Sequence, residues 1–188
     1  MKEIKITKRD LEKANAFADL RCGDSDLYKK RGAFKRCDIL NGALAELAVY
    51  KLLKKDFNVK KPDFTIHAKG KKSYDADLTD GEHHFHVKGQ GLKSALLYGR
   101  SWIMQRHDPL FKEMPLKNYI VPCLVDIENG LVEIYGIVPI KTLWTRGCFD
   151  ELKVPYMRST KIALYKGHMD SLLTPKVLWG VLHRKGST

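Results

Sequence analysis

The chain has 188 residues, with 34 Lys and Arg against 22 Asp and Glu, a formal net charge of +12 with the histidines neutral. Its 44% of hydrophobic residues suffice for a real core, which excludes global disorder, and the length suits one domain. No long run of like charge occurs, so the positive surplus belongs on a folded surface. The partner it suits is anionic, with nucleic acid ahead of an acidic membrane or an acidic protein.

No stretch is long and apolar enough to span a bilayer, and the N-terminal MKEIKITKRD lacks the apolar region of a secretory signal. Cys22, Cys37, Cys123 and Cys148 are widely spaced, with no CxxC pair. They fit a reduced, intracellular (cytoplasmic) protein with incidental thiols. No membrane partner is expected.

Residues Thr7 to about Cys22 have helical spacing, and Thr7 with Asp10 makes a capping-box-like start. Gly23-Asp24-Ser25-Asp26 breaks that helix. The basic stretch Lys29, Lys30, Arg31, Lys35 and Arg36 leads into a longer helix, about Phe34 to Lys55. This second helix is apolar nearly all round between Ile39 and Leu53 and should be buried.

Beyond Pro62 the period changes to that of strands. Asp63–His67 reads as a short one. Ser73–Leu78 and His83–Lys88 read as a hairpin around Asp80-Gly81, and Tyr119–Ile127 with Leu131–Val138 as a second around Asn129-Gly130. Gly89–Lys117, with Pro109 and Pro115, looks mostly loop-like, although Trp102 and Phe111 suit a core. The last fifty or so residues are ambiguous, and Pro175–Arg184 fits a helix or a strand. The order implies an α/β (alternatively α+β) domain with a mixed central sheet flanked by helices.

Two features carry chemistry. Within Gly42–Tyr50 the one charged side chain is Glu46. A carboxylate on a buried helix face is costly unless compensated, or else it emerges at the helix edge and meets a lysine. The second feature is the Ser73–Gln90 hairpin. Side chains alternate along a strand, so Asp75 and Asp77 share one face, and His84, His86 and Lys88 share a face of the partner strand. A two-residue turn at Asp80-Gly81 would set Asp77 opposite His84 and Asp75 opposite His86. The other face, with Tyr74, Ala76, Leu78, Phe85 and Val87, belongs to the core.

A buried-helix Glu, then a hairpin with Asp on its first strand and x-Lys on its second, resembles the PD-(D/E)XK (restriction endonuclease-like) nuclease superfamily. The resemblance covers about Ile39–Gln90. It implies a helix–strand–strand–strand–helix–strand core with a mixed sheet, here about residues 34–140, with an N-terminal helix at 7–22 and a C-terminal extension at 141–188. It implies metal-dependent hydrolysis of DNA phosphodiester bonds that leaves a 5′-phosphate. Glu46, Asp75 (or Asp77) and Lys88 would match the motif residues, and Gln90 the polar residue often found after the lysine. The metal would be Mg2+ or Mn2+.

The chain departs from the pattern at His86, where the family has an acidic residue two before the lysine. His86 is then a ligand in an atypical site, or is replaced by Asp77 from the facing strand, or marks lost activity. Magnesium prefers oxygen ligands and imidazole suits softer ions. In an active site Asp75, Asp77, Glu46 and His86 would position metal, and Lys88 would stabilise hydroxide and phosphate charge. Lys29, Lys30, Arg31, Lys35 and Arg36 would hold the DNA backbone.

Two other functions fit the residues. One is a non-catalytic nucleic-acid-binding protein with a nuclease-like fold. The other is a strand-borne His/Asp metal site like that of cupins, built on His84 and His86. DNA is expected ahead of RNA, and a homodimer would suit duplex cleavage.

Overall fold

The computed structural model describes residues 1–23, 32–65, 76–113, 116–153 and 157–172. Strand β1 (Lys2–Lys5) precedes helix α1 (Lys8–Gly23), and α2 (Gly32–Leu53) packs antiparallel to α1. The start of α1 is a closed capping box: Thr7 N and Oγ1 both donate to Asp10 Oδ2, at 2.7 and 2.6 Å, and Asp10 N donates back to Thr7 Oγ1 at 3.2 Å. Lys51, near the end of α2, pairs with the same Asp10. Leu40, Ala43, Leu44, Leu47, Ala48 and Leu52 are buried, as an all-round apolar helix between α1 and a sheet requires.

The main sheet continues with β2 (Leu78–Thr79), β3 (His84–Gly91), β5 (Asn118–Asp126), β6 (Leu131–Ile134) and β7 (Val138–Pro139). Its order is β1-β6-β5-β3-β2, and β7 pairs with the other end of β5, beside β6. β3 and β5 run parallel over their whole length, and the remaining pairs are antiparallel. β5 is buried on both faces, as a strand between two layers must be. Tyr119, Val121, Cys123 and Val125 face the α1–α2 layer, while Ile120 and Leu124 enter a second core.

That second core is closed by elements from the Gly89–Lys117 stretch expected to be mostly loop and from the ambiguous C-terminal stretch. Between β3 and β5 come α3 (Leu92–Tyr98), β4 (Ser101–Gln105) and α4 (Pro109–Glu113), and after β7 come α5 (Ile140–Thr145), β8 (Phe149–Asp150), β9 (Lys161–Tyr165) and α6 (Lys166–Leu172). Strands β4, β9 and β8 form a small antiparallel sheet. Trp102 and Phe111 are buried in this core, as expected, and the Trp102 indole N–H donates to Cys123 O of β5 at 2.8 Å. The protein is thus a mixed sheet between a helical layer and a mixed α/β layer.

Several elements differ from those the sequence predicts. Asp63–Thr65 is not a strand. Asp63 instead accepts hydrogen bonds from Thr65 N and Oγ1 in a local turn. The rest of that segment, and Pro175–Arg184, lie outside the described residues. In the first hairpin β2 spans, among the described residues, only Leu78–Thr79, paired as Leu78 with Phe85 and Thr79 with His84, and Ser73–Asp75 lie outside the described residues. The connection is four residues long, because the Asp80 carboxylate accepts the N–H groups of Glu82 (3.0 Å) and His83 (2.7 Å). The register therefore differs by two residues from the two-residue turn, and Asp77 falls level with His86 rather than His84. The Asn129-Gly130 turn is present, with Gly130 at φ 64°, but its second strand breaks after Ile134 and resumes at Val138.

Candidate active site

The pleat of β3 divides its residues between the two layers. Phe85 and Val87 pack against α2, and Gly89 follows them on that face. A Cβ on Gly89 would sit 2.7 Å from the Asn41 carbonyl oxygen and 2.9 Å from Ala45 Cβ. Glycine is therefore what lets β3 lie this close to α2, and with it the helix that carries Glu46. His86, Lys88 and Gln90 occupy the alternate positions.

His86 is 4% exposed. Its Nε2 lies 3.0 Å from Asn118 Oδ1 on the adjacent β5, and Asn118 Nδ2 donates to Leu116 O. With an amide oxygen as its partner, Nε2 carries the proton, and Nδ1 is the ring's remaining lone pair. Burial pushes the imidazole below its ordinary value, against the Asn118 hydrogen bond and the Asp77 charge, with Lys88 adding to the fall. His86 is a neutral interior side chain near pH 7.

Asp77 stands just before the β2 ladder begins. Its Oδ2 accepts the backbone N–H of Val87 at 2.7 Å, a donor on the side of β3 that faces β2. The carboxylate thus takes the place of the next ladder bond. Glu46 lies within electrostatic reach. Burial pushes its carboxyl up to about 8, the Asp77 charge adds to the rise, and Lys88 and Arg21 oppose it. Glu46 on α2 thus feels charges from the β2–β3 hairpin (Asp77 and Lys88) and from α1 (Arg21).

Lys88 is half-buried and borders a cleft of about 250 Å3 with Asp38, Gln90, Ser94, Ser101 and Ile103. Gln90 does not offer a free amide to this space. Its Nε2 donates to Gly99 O at 3.0 Å and its Oε1 accepts from Ser101 N at 2.8 Å, which fastens the α3–β4 turn to β3.

Of the residues singled out in the sequence, Glu46 feels the charges of Asp77 and Lys88, and His86 feels those of the same two residues, but the three possible ligands do not converge on one point. Asp75, Lys29, Lys30, Arg31 and the side chain of Lys35 lie outside the described residues. Arg36 is committed elsewhere: its guanidinium donates to Asp19 Oδ1 at 2.6 Å and Asn15 Oδ1 at 2.9 Å, bracing α2 against α1. Among the described residues, no three His, Cys, Asp or Glu side chains gather as a ready metal site. Sequence reasoning missed Asp38, Arg21 and Asn118. Asp38 stands eight residues before Glu46, a helical repeat that could have marked it. Arg21 and Asn118 carry no local signal, since only the packing of α1 and the β3–β5 register bring them in.

Comparison with known proteins adds no relative: no family model, no curated protein and no solved structure matches the chain.

Proposed function

We propose that the chain is a divalent-metal-dependent DNA endonuclease of the restriction endonuclease-like type. The observation that carries the reading is the placement of Lys88, on the border of a cleft and close enough to Glu46 for its charge to oppose the rise of that carboxyl. The donor chemistry fits a hard cation. The Asp77 charge makes ionisation of the Glu46 carboxyl harder, and a divalent ion held by the two would relieve that repulsion. Glu46 and Asp77 would hold the ion, and Asp75 precedes Asp77 by two residues. Nε2 of His86 is engaged by Asn118, so Asp77 is the carboxylate we assign to the role usually filled two residues before the lysine. Mg2+ or Mn2+ suits these oxygen donors.

When bound, such an ion supplies an acidified water and charge stabilisation on the phosphate. The chain's own groups do the rest. Lys88 donates hydrogen bonds to a phosphate oxygen or to the attacking water, and its charge opposes the negative charge that develops. Arg21 adds a second positive charge beside Glu46. The net charge of +12 attracts the polyanion and gives the binding a steep salt dependence.

Incubation with supercoiled, linear and branched DNA in Mg2+ and, separately, in Mn2+ tests the proposal. Cleavage should appear with at least one metal and fall by about 100-fold or more in Lys88→Ala, while DNA binding changes little. Salt-sensitive binding without cleavage in either metal would instead favour a non-catalytic binding module. Equal cleavage by Lys88→Ala would exclude this site.

A further inference from the structure

Helix α3 leaves β3 directly after the cleft and exposes apolar side chains that the fold does not use. Leu92 and Ala95 are the residues it turns into the second core. Leu96, Leu97 and Tyr98 are 77%, 76% and 58% exposed, and Ile103 on the neighbouring β4 is 45% exposed. Ser94 and Ile103 both line the Lys88 cleft. Ser94, Leu97 and Tyr98 follow one another at helical i, i+3 and i+4 spacing, so the apolar face runs on from the cleft wall. The corner is held in place. Gly99 turns the chain with φ 79°, and the two ends of the Gln90 amide bond Gly99 and Ser101, on either side of Arg100. An aromatic ring and two aliphatic side chains are thus anchored to the strand that bears Lys88.

We infer that Leu97, Tyr98 and Ile103 form a shelf for unpaired nucleobases, and that the substrate class is DNA with single-stranded nucleotides beside the scissile phosphate, such as a flap, fork or frayed end. This rests on the reading of the cleft as a phosphodiester-cleaving site. Continuous duplex offers a protein anionic backbone and groove edges, and its base faces are stacked away. Exposed apolar and aromatic side chains gain most from DNA where bases are already free to stack on them, because wedging them into intact duplex costs unstacking. The net charge of +12 supplies attraction for the backbone, and the shelf supplies a surface for the bases that backbone carries. Gln90 is a positioning residue in this arrangement, since it touches neither phosphate nor base and holds the turn on which Tyr98 sits.

The test uses a forked DNA carrying 2-aminopurine in its single-stranded arm and a blunt duplex of equal length, both in EDTA so that no cleavage occurs. The full chain should quench 2-aminopurine on binding and prefer the fork. Tyr98→Ala should weaken fork binding by about fivefold to 100-fold, abolish the quench and leave the blunt duplex within about twofold. Tyr98→Phe should keep both signals. Gln90→Ala should lower fork preference and leave the salt slope of duplex binding unchanged, an effect that loss of folding alone would not give. Equal losses on fork and duplex, or none on either, would overturn the shelf. So would sedimentation showing a dimer that Leu96→Glu and Tyr98→Ala both dissociate, because a second copy would then occupy the patch. Metal-dependent cleavage without fork preference would refute the shelf and leave the nuclease standing. Tyr98-dependent quenching without cleavage would do the reverse.

Discussion

Glu46 gives the sharpest physical prediction, because it holds whatever the protein acts upon. Its carboxyl lies on a buried helix face beside Asp77, and its folded value stands at about 8 against an ordinary 4.5. A group whose pKa is raised on folding contributes stability below its unfolded value and loses it as pH rises through the folded value. In the unfolded chain Glu46 ionises freely above pH 4.5, whereas in the folded protein it stays largely protonated up to about 8. Each pH unit in that window withdraws about 1.4 kcal/mol. At pH 7 the loss is on the order of 3 kcal/mol.

Glu46→Gln keeps the shape and hydrogen-bonding reach of the protonated acid and removes the ionisation. In metal-free protein the variant and the parent should melt together near pH 4.5. They should then diverge in favour of the variant, by roughly 6–12 °C at pH 7 for a chain of this size, with no further divergence above about pH 8. The measurement is a thermal melt followed by circular dichroism in EDTA, across that pH range. The difference between the two proteins is the relevant quantity, since most other titrating groups cancel in it. Parallel melting curves would refute the reasoning and place Glu46 in water or against a full counter-charge.

Two further outcomes follow from the packing of β3. Gly89→Ala drives a methyl group into the Asn41 carbonyl and Ala45 and should lower stability by about 1–3 kcal/mol; an unchanged melting temperature would mean that α2 and β3 are less closely seated. His86→Glu puts a second carboxylate into a buried position beside Asp77 and removes the donor that Asn118 accepts. It should destabilise the metal-free protein by about 2–4 kcal/mol at pH 7, and chemical denaturation would read this. Improved stability without metal would show that His86 is not enclosed.

The parts of the fold that were legible were those that local chemistry decides. The Thr7–Asp10 box and the apolar circumference of α2 are written within a few residues, and both elements form where those signals lie. What could not be read depends on partners far along the chain. Lys2–Lys5 has no strand pattern of its own, yet it is a strand because β6 offers it an edge. Ser101–Gln105 sits among prolines and glycines in a stretch of mixed character. It extends because β9, some sixty residues later, pairs with it. The site divides in the same way. Glu46 was visible as a charge in an apolar run, and Lys88 as one member of an alternating strand. Arg36 looked like a phosphate ligand because nothing in a linear sequence reveals that Asn15 and Asp19 take its guanidinium.

The hairpin register bears most directly on the proposed chemistry. Asp-Gly is a strong two-residue turn signal, and such a turn would have put Asp77 opposite His84, four residues along the strand from Lys88. Asp80 prevents it by taking the N–H groups of Glu82 and His83 into its own carboxylate, which lengthens the loop and slides β2 by two residues. Asp77 then reaches the level of His86 and binds the N–H of Val87, the residue between His86 and Lys88. The register of β2 thus delivers a carboxylate from the next strand, while β5 supplies the Asn118 partner of the buried, neutral histidine two residues before the lysine. On the nuclease reading the missing acidic residue of β3 is not a gap in the site. On that reading its negative charge would come across the ladder from Asp77, whose Oδ2 accepts the Val87 N–H.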